Sequence, residues 1–360
     1  MKKLLLIMFF AIFAAGCTYN LNAKPQNPET PVESQVNNSA LNILTLFSSK
    51  ADANNKVWVG TFQLVFNDMK NEILKLKKVE FVGEKPTDDL VGLNKEEFNS
   101  SMLNPETYYK SYGATSPTAK EKIKKDIKKK FNETSDIIDE VDWTEAPGRY
   151  YAYAMLKKEF EFLKEFDKLD PQSFNGSDKK YDFFGIKRSS SALNANIRVL
   201  FYNSEDDFAV QLLTKNGDEV YLYRTESNDS FDKIYEKMKQ EKENYKGSRY
   251  FEDIDTFKAP NLSFKSIRRY DELCNKIIKD TDGYYFSAAM ETIQFELNSK
   301  GGKIKSEAIL MADNAAIAFE EMPKPRHFDF DKTFNLFLVD KDKKDPYMAL
   351  RVKDLSELSK

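Results

Sequence analysis

The chain has 360 residues, 41% apolar and 13% aromatic, with a formal net charge of −3. This is ample material for a large core, and the weakly acidic balance gives no reason to expect a nucleic-acid partner. With one histidine, His327, and no P-loop, GxGxxG or CxxC, the chain offers little for a catalytic triad or a multi-histidine metal site. We therefore expect no enzyme, no cofactor and no metal.

Lys2 and Lys3 precede an uncharged run, Leu4 to Ala15, that is too short to span a bilayer and suits a signal segment. It ends in Ala14-Ala15-Gly16-Cys17, which resembles the bacterial lipobox, with alanine at the usual leucine position. The resemblance implies that residues 1–16 are removed and that Cys17 is lipidated. The mature chain would then be exported and anchored by lipid to the cell envelope, each buried CH₂ contributing roughly 0.8 kcal/mol. Residues 17–53 are rich in Asn, Pro, Ser, Thr and Gln and read as a disordered tether. Residues 54–360 contain no second low-complexity linker and are expected to form one domain and a monomer. Cys274, the other cysteine, follows Tyr270 and Leu273 at helical spacing and reads as a buried free thiol.

Along the domain, Lys56 to Leu76 predicts an extended entry followed by a buried helix. Ser116-Pro117 opens a clearer helix, with Ile123, Ile127 and Phe131 in one narrow stripe and lysines around the rest. That basic surface reads first as a solvated face. Tyr150 to Leu156 suits a central strand. Ile197–Tyr202, Phe208–Thr214 and Glu219–Arg224 alternate as three further strands, with Asn216-Gly217 as a hairpin turn. Ser230–Lys239 predicts a helix, Ala259–Phe264 a strand and Tyr270–Ile278 another helix. The class is α+β, with a large mixed sheet and helices clustered in the N-terminal third.

The segment Glu291 to Lys305 alternates as a strand through Ile293, Phe295 and Leu297 and reaches a diglycine, Gly301-Gly302. It is answered by Phe328 to Val339, a second alternating stretch with one shift of phase. His327, Asp329 and Asp331 alternate onto one face there. A metal set and the polar residues of an edge strand both fit them, and we take the second.

This layout of strand, diglycine, long loop and closing strand resembles the reactive-loop region of the serpin family. Over residues 116–354 other segments resemble the family in the same order. Tyr151-Ala-Tyr-Ala-Met-Leu is similar to its V-N-A-x-Y-F strand, Ala259-Pro-Asn-Leu-Ser-Phe to P-K-F-x-I, Ile293–Gly301 to the hinge, and Phe330–Leu338 to F-x-x-P-F-x-F-x-I. The family's S-P-x-S-I motif is absent, and its Ala-rich hinge is replaced by Gly302-Lys-Ile-Lys-Ser-Glu-Ala. The resemblance implies a serpin-like domain with an exposed C-terminal loop, hinged at Gly301 and Gly302. After cleavage by a protease the loop's first half would enter the main sheet.

Insertion needs uncharged residues at alternate positions. With Gly301 as the hinge, the inward set is Gly302, Ile304, Ser306, Ala308, Leu310 and Ala312, none of them charged. Counting along the loop places the scissile bond at Ala315-Ala316, which suits an elastase-like protease. Ile304 is bulky, and Lys303 and Lys305 would lie beneath the basic helix. Two readings follow: a surface-anchored inhibitor of an elastase-like serine or cysteine protease, or a non-inhibitory serpin-like lipoprotein with a binding or structural role.

Overall fold

The computed structural model describes residues 41–303 and 324–359. It begins with β1 (Leu41–Ile43), β2 (Asn55–Val59), α1 (Thr61–Asp68) and α2 (Asp88–Lys95). Next come β3 (Tyr108–Ala114), α3 (Pro117–Phe131), β4 (Tyr150–Leu156), β5 (Glu159–Glu161), β6 (Asp167–Ser173) and β7 (Lys180–Gly185). The short α4 (Ser191–Asn194) leads to β8 (Ile197–Ser204), β9 (Asp207–Leu213), β10 (Glu219–Arg224) and α5 (Phe231–Asn244). The chain closes with β11 (Thr256–Pro260), β12 (Leu262–Arg269), β13 (Met290–Asn298), β14 (Gly301–Lys303), β15 (His327–Asp329), β16 (Phe334–Val339) and β17 (Pro346–Val352).

Among the described residues these strands form four sheets: β1-β2-β17-β16-β10-β9-β8, β15-β11-β7-β6, β12-β13-β14-β5 and the pair β3-β4. The predicted strands β8, β9 and β10 pair antiparallel in succession, with Gly217 at φ +84° in the predicted turn between β9 and β10. The helix expected from Ser116 is α3. The Ser116 hydroxyl accepts from the Ala119 amide, and Pro117 opens the first turn, where its missing N–H is no loss. Ile123, Ile127 and Phe131 are buried in a cluster with Trp143 and Tyr153, so α3 rests on β3 and β4. Its lysines turn outward to Asp126, Asp139 and backbone carbonyls.

Three expectations change. Residues 41–53 belong to the fold rather than to a tether. Leu41, Ile43, Leu44 and Leu46 are buried, and β1 pairs in parallel with β2, because these apolar residues fill the edge of the core. Tyr270–Ile278 is not a helix. It holds a single 3₁₀ turn at Asp271–Leu273, since Tyr270 is stacked on Phe62 at 3.7 Å and Asn275 turns left-handed at φ +59°. Phe328–Val339 is two strands in two sheets, broken at Asp331–Thr333. Phe330 sits at the break and packs on Phe208, Phe257 and Phe334, and so joins the sheets. The helix expected at Ser230–Lys239 is α5, which covers the seven-stranded sheet with Phe231, Ile234, Tyr235 and Met238.

Candidate functional site: a slot between two strands

The strand β13 is paired along its full length on one side, from Leu262↔Leu297 to Arg269↔Met290 of β12. On its other side, among the described residues, only Glu296–Asn298 are paired, by β14. The short β14 continues the sheet to β5 through Gly301↔Glu161, Gly302↔Phe160 and Lys303↔Glu159. Beyond Lys303 no described strand lies between β13 and β4, whose far edge is taken by β3. The result is a slot of about 540 Å³.

Strand alternation decides which side chains face into it. Ala154 and Leu156 of β4 and Ile293 of β13 face the main core, whereas Tyr151, Tyr153 and Met155 face α3. Phe62, Val65, Phe66 and Met69 from α1 and the turn after it form the floor. The stretch 134–143 forms the roof. Just before it Lys157 Nζ donates to the Phe131 carbonyl at 2.9 Å, and within it Trp143 Nε1 donates to the Ile138 carbonyl at 2.7 Å. Two ion pairs cross above the slot to β12: Lys265–Asp136 at 2.6 Å and Arg269–Glu140 at 2.9 Å.

The two glycines stand at the head of the slot. Gly301 has φ +151°, and a Cβ there would overlap the Phe160 carbonyl oxygen. A Cβ on Gly302 would overlap the Phe160 ring. Only glycine lets β14 approach β5 this closely. Cys17 and the loop residues Ile304, Ser306, Ala308, Leu310, Ala312, Ala315 and Ala316 lie outside the described residues.

On the slot wall is a buried acid that the sequence reading did not single out. Glu291 is 4% exposed, accepts a hydrogen bond from the Tyr270 hydroxyl at 3.0 Å, and leaves its Oε1 without a partner. Burial pushes its carboxyl up to about 8, opposed by the Tyr270 hydroxyl, the nearby Phe62 amide and Arg268. The Arg268 guanidinium in turn lies 4.3 Å from the Tyr270 ring centre. The available signal was parity: Glu291 shares the inward face of β13 with Ile293, Phe295 and Leu297.

Other singled-out residues are quiet. Cys274 is buried, its thiol raised chiefly by burial, and Sγ lies 3.5 Å from the Tyr270 carbonyl. Asp329 and Asp331 pair with Lys258, while His327 Nδ1 meets the Thr256 hydroxyl at 3.0 Å.

No protein-family model matches the chain, and no curated protein matches it. Solved structures similar to it include serpins. Serpin48 of the insect Tenebrio molitor, described as a highly specific serpin, is 12% identical, with a TM-score of 0.46 over 85% of this chain and 93% of that one. A cleaved Serpin 42Da is 12% identical, with a TM-score of 0.45 over 72% of this chain and 79% of that one. A thyroxine-binding globulin in complex with thyroxine is 10% identical, with a TM-score of 0.41 over 65% of this chain. The chain spans 64% of that globulin, less than two thirds of its length.

Proposed function

We propose that the chain is a serpin-like, lipid-anchored envelope protein whose loop after Lys303 enters the slot between β4 and β13 when a protease cleaves it. The observation that supports this is β14, which occupies the head of the slot and points its chain along it. Continuing the β14 register would set Ile304 opposite Phe295, Ser306 opposite Ile293 and Ala308 opposite Glu291, all facing the core. Each added ladder bond contributes roughly 1 kcal/mol, and burying Ile304 adds about 2 kcal/mol. The edges of β4 and β13 that no described strand pairs would supply the backbone partners. The target would be an elastase-like protease acting near Ala315-Ala316. Cys17 would carry the membrane anchor, and the chain itself would catalyse nothing.

Digestion with elastase tests this reading. A large rise in the thermal midpoint together with an SDS-resistant complex supports inhibition, and simple nicking without stabilisation overturns it. A second reading, a non-inhibitory binding or structural protein, is favoured by the two ion pairs that cross the slot and by the bulk of Ile304. Stabilisation on cleavage without a covalent complex would select it.

A further inference from the structure

Far from the slot, Lys56, Arg351 and Asn335 stand in a row on one face of the seven-stranded sheet. Lys56 is directly opposite Arg351 across β2 and β17, and Arg351 is directly opposite Asn335 across β17 and β16. Opposite residues in such pairs have Cβ atoms about 4.5–5.5 Å apart, and like charges so placed repel. All three are buried, at 0%, 2% and 0% exposed for Lys56, Arg351 and Asn335.

Buried cations ordinarily have carboxylate partners. Among the described residues these two have none within ion-pair distance. Lys56 Nζ donates to the Asn228 and Asp229 carbonyls at 3.1 and 2.9 Å. Arg351 donates to the carbonyls of Ser227, Asn54 and Glu226 at 3.2, 2.7 and 3.4 Å. Neither amide atom of Asn335 has a hydrogen-bond partner.

The positive end of α5 adds to this field. The helix begins at Phe231, whose ring centre is 5.6 Å from Lys56 Nζ, and its N-cap Ser230 makes no side-chain cap bond. Asp52, Asp229 and Glu226 act on the two cations only from beyond contact. Asp232 in the first turn of α5 also carries a buried, unpartnered oxygen.

We propose that a small inorganic monoanion of chloride size binds among Lys56, Arg351 and the Asn335 amide, beneath the start of α5. The two cations supply the charge, and Asn335 Nδ2 supplies a donor that has no other partner. Such an ion would join β2, β17 and β16 to the 225–230 turn that Lys56 and Arg351 already hold.

The test measures the thermal midpoint of the full chain at constant ionic strength while chloride replaces gluconate, together with the ³⁵Cl NMR line width. A saturable rise in midpoint and a protein-dependent broadening are expected. Asn335→Asp places a fixed carboxylate directly opposite Arg351 and one strand further from Lys56. Its midpoint in gluconate should exceed that of the unmodified chain, and both the chloride increment and the broadening should vanish. Equal midpoints in chloride and gluconate without line broadening would overturn the proposal, as would an Asn335→Asp protein that keeps the full chloride increment. If Asn335→Asp does not fold, the chloride series on the unmodified chain decides alone.

Discussion

The Tyr270 hydroxyl donates to the Glu291 carboxyl at 3.0 Å, and this bond fastens the wall of the slot to the ring that stacks on α1 through Phe62. The acid is held neutral by its surroundings rather than paired with a cation, so its protonation is linked to the stability of that wall.

Glu291 predicts a pH dependence of known sign. Its carboxyl rises from the usual 4.5 to about 8 on folding, so the folded state binds the proton more tightly. The stability it contributes is complete below pH 4.5 and is lost as pH rises toward 8. The slope is at most about 1.4 kcal/mol per pH unit. Glu291→Gln should flatten the profile and be the more stable form above pH 8, as read by urea unfolding between pH 5 and 9.

Lys158 is buried between Asp218 and Asp340, each 2.7 Å away, beneath the Tyr347 ring. It joins the end of β4 to the seven-stranded sheet. Lys158→Met leaves two facing buried carboxylates and should cost about 3–5 kcal/mol at neutral pH. Part of the loss should return in acid as the Asp218 carboxyl, raised chiefly by burial, protonates, which denaturant midpoints at pH 4 and 7 would show.

Gly301→Ala should displace β14, because the added Cβ meets the Phe160 carbonyl in a backbone region that favours glycine. A destabilisation of about 1–3 kcal/mol is expected. Hydrogen exchange should quicken at Glu296–Asn298 and Glu159–Glu161, the two stretches that β14 pairs. Unchanged exchange there would show that the diglycine does not set this pairing.

The pairs Lys265–Asp136 and Arg269–Glu140 are half-exposed, so each is worth only about 0.2–1 kcal/mol. Asp136→Asn with Glu140→Gln should therefore leave global stability nearly unchanged. It should speed exchange at Met290–Gln294, and 1 M salt, with a Debye length of about 3 Å, should do the same to the unmodified chain. If entry of a strand widens the sheet by about 4.8 Å, the double variant should also shorten the lag before loop cleavage stabilises the protein.

Local pattern carried much of this fold. The alternation of β8, β9 and β10, the turn at Gly217, and the Ser116–Pro117 start of α3 were legible because each rests on neighbours a few residues apart. The stretch from Tyr270 to Ile278 misled because its apolar spacing suits a helix, while stacking on Phe62, far away in sequence, holds Tyr270 elsewhere. The inward parity of Glu291 was visible, but its burial against Tyr270 was not.

By itself the sequence determined an α+β domain, its main strands and the stripe of α3. These follow from periodicity, which acts within a single strand or helix. Only the tertiary structure decided that β14 fills the head of a slot, that no other described strand pairs the two edges below it, and that Lys56 and Arg351 face each other. Those outcomes depend on which strands become neighbours, and register between distant segments is settled by packing across the whole core.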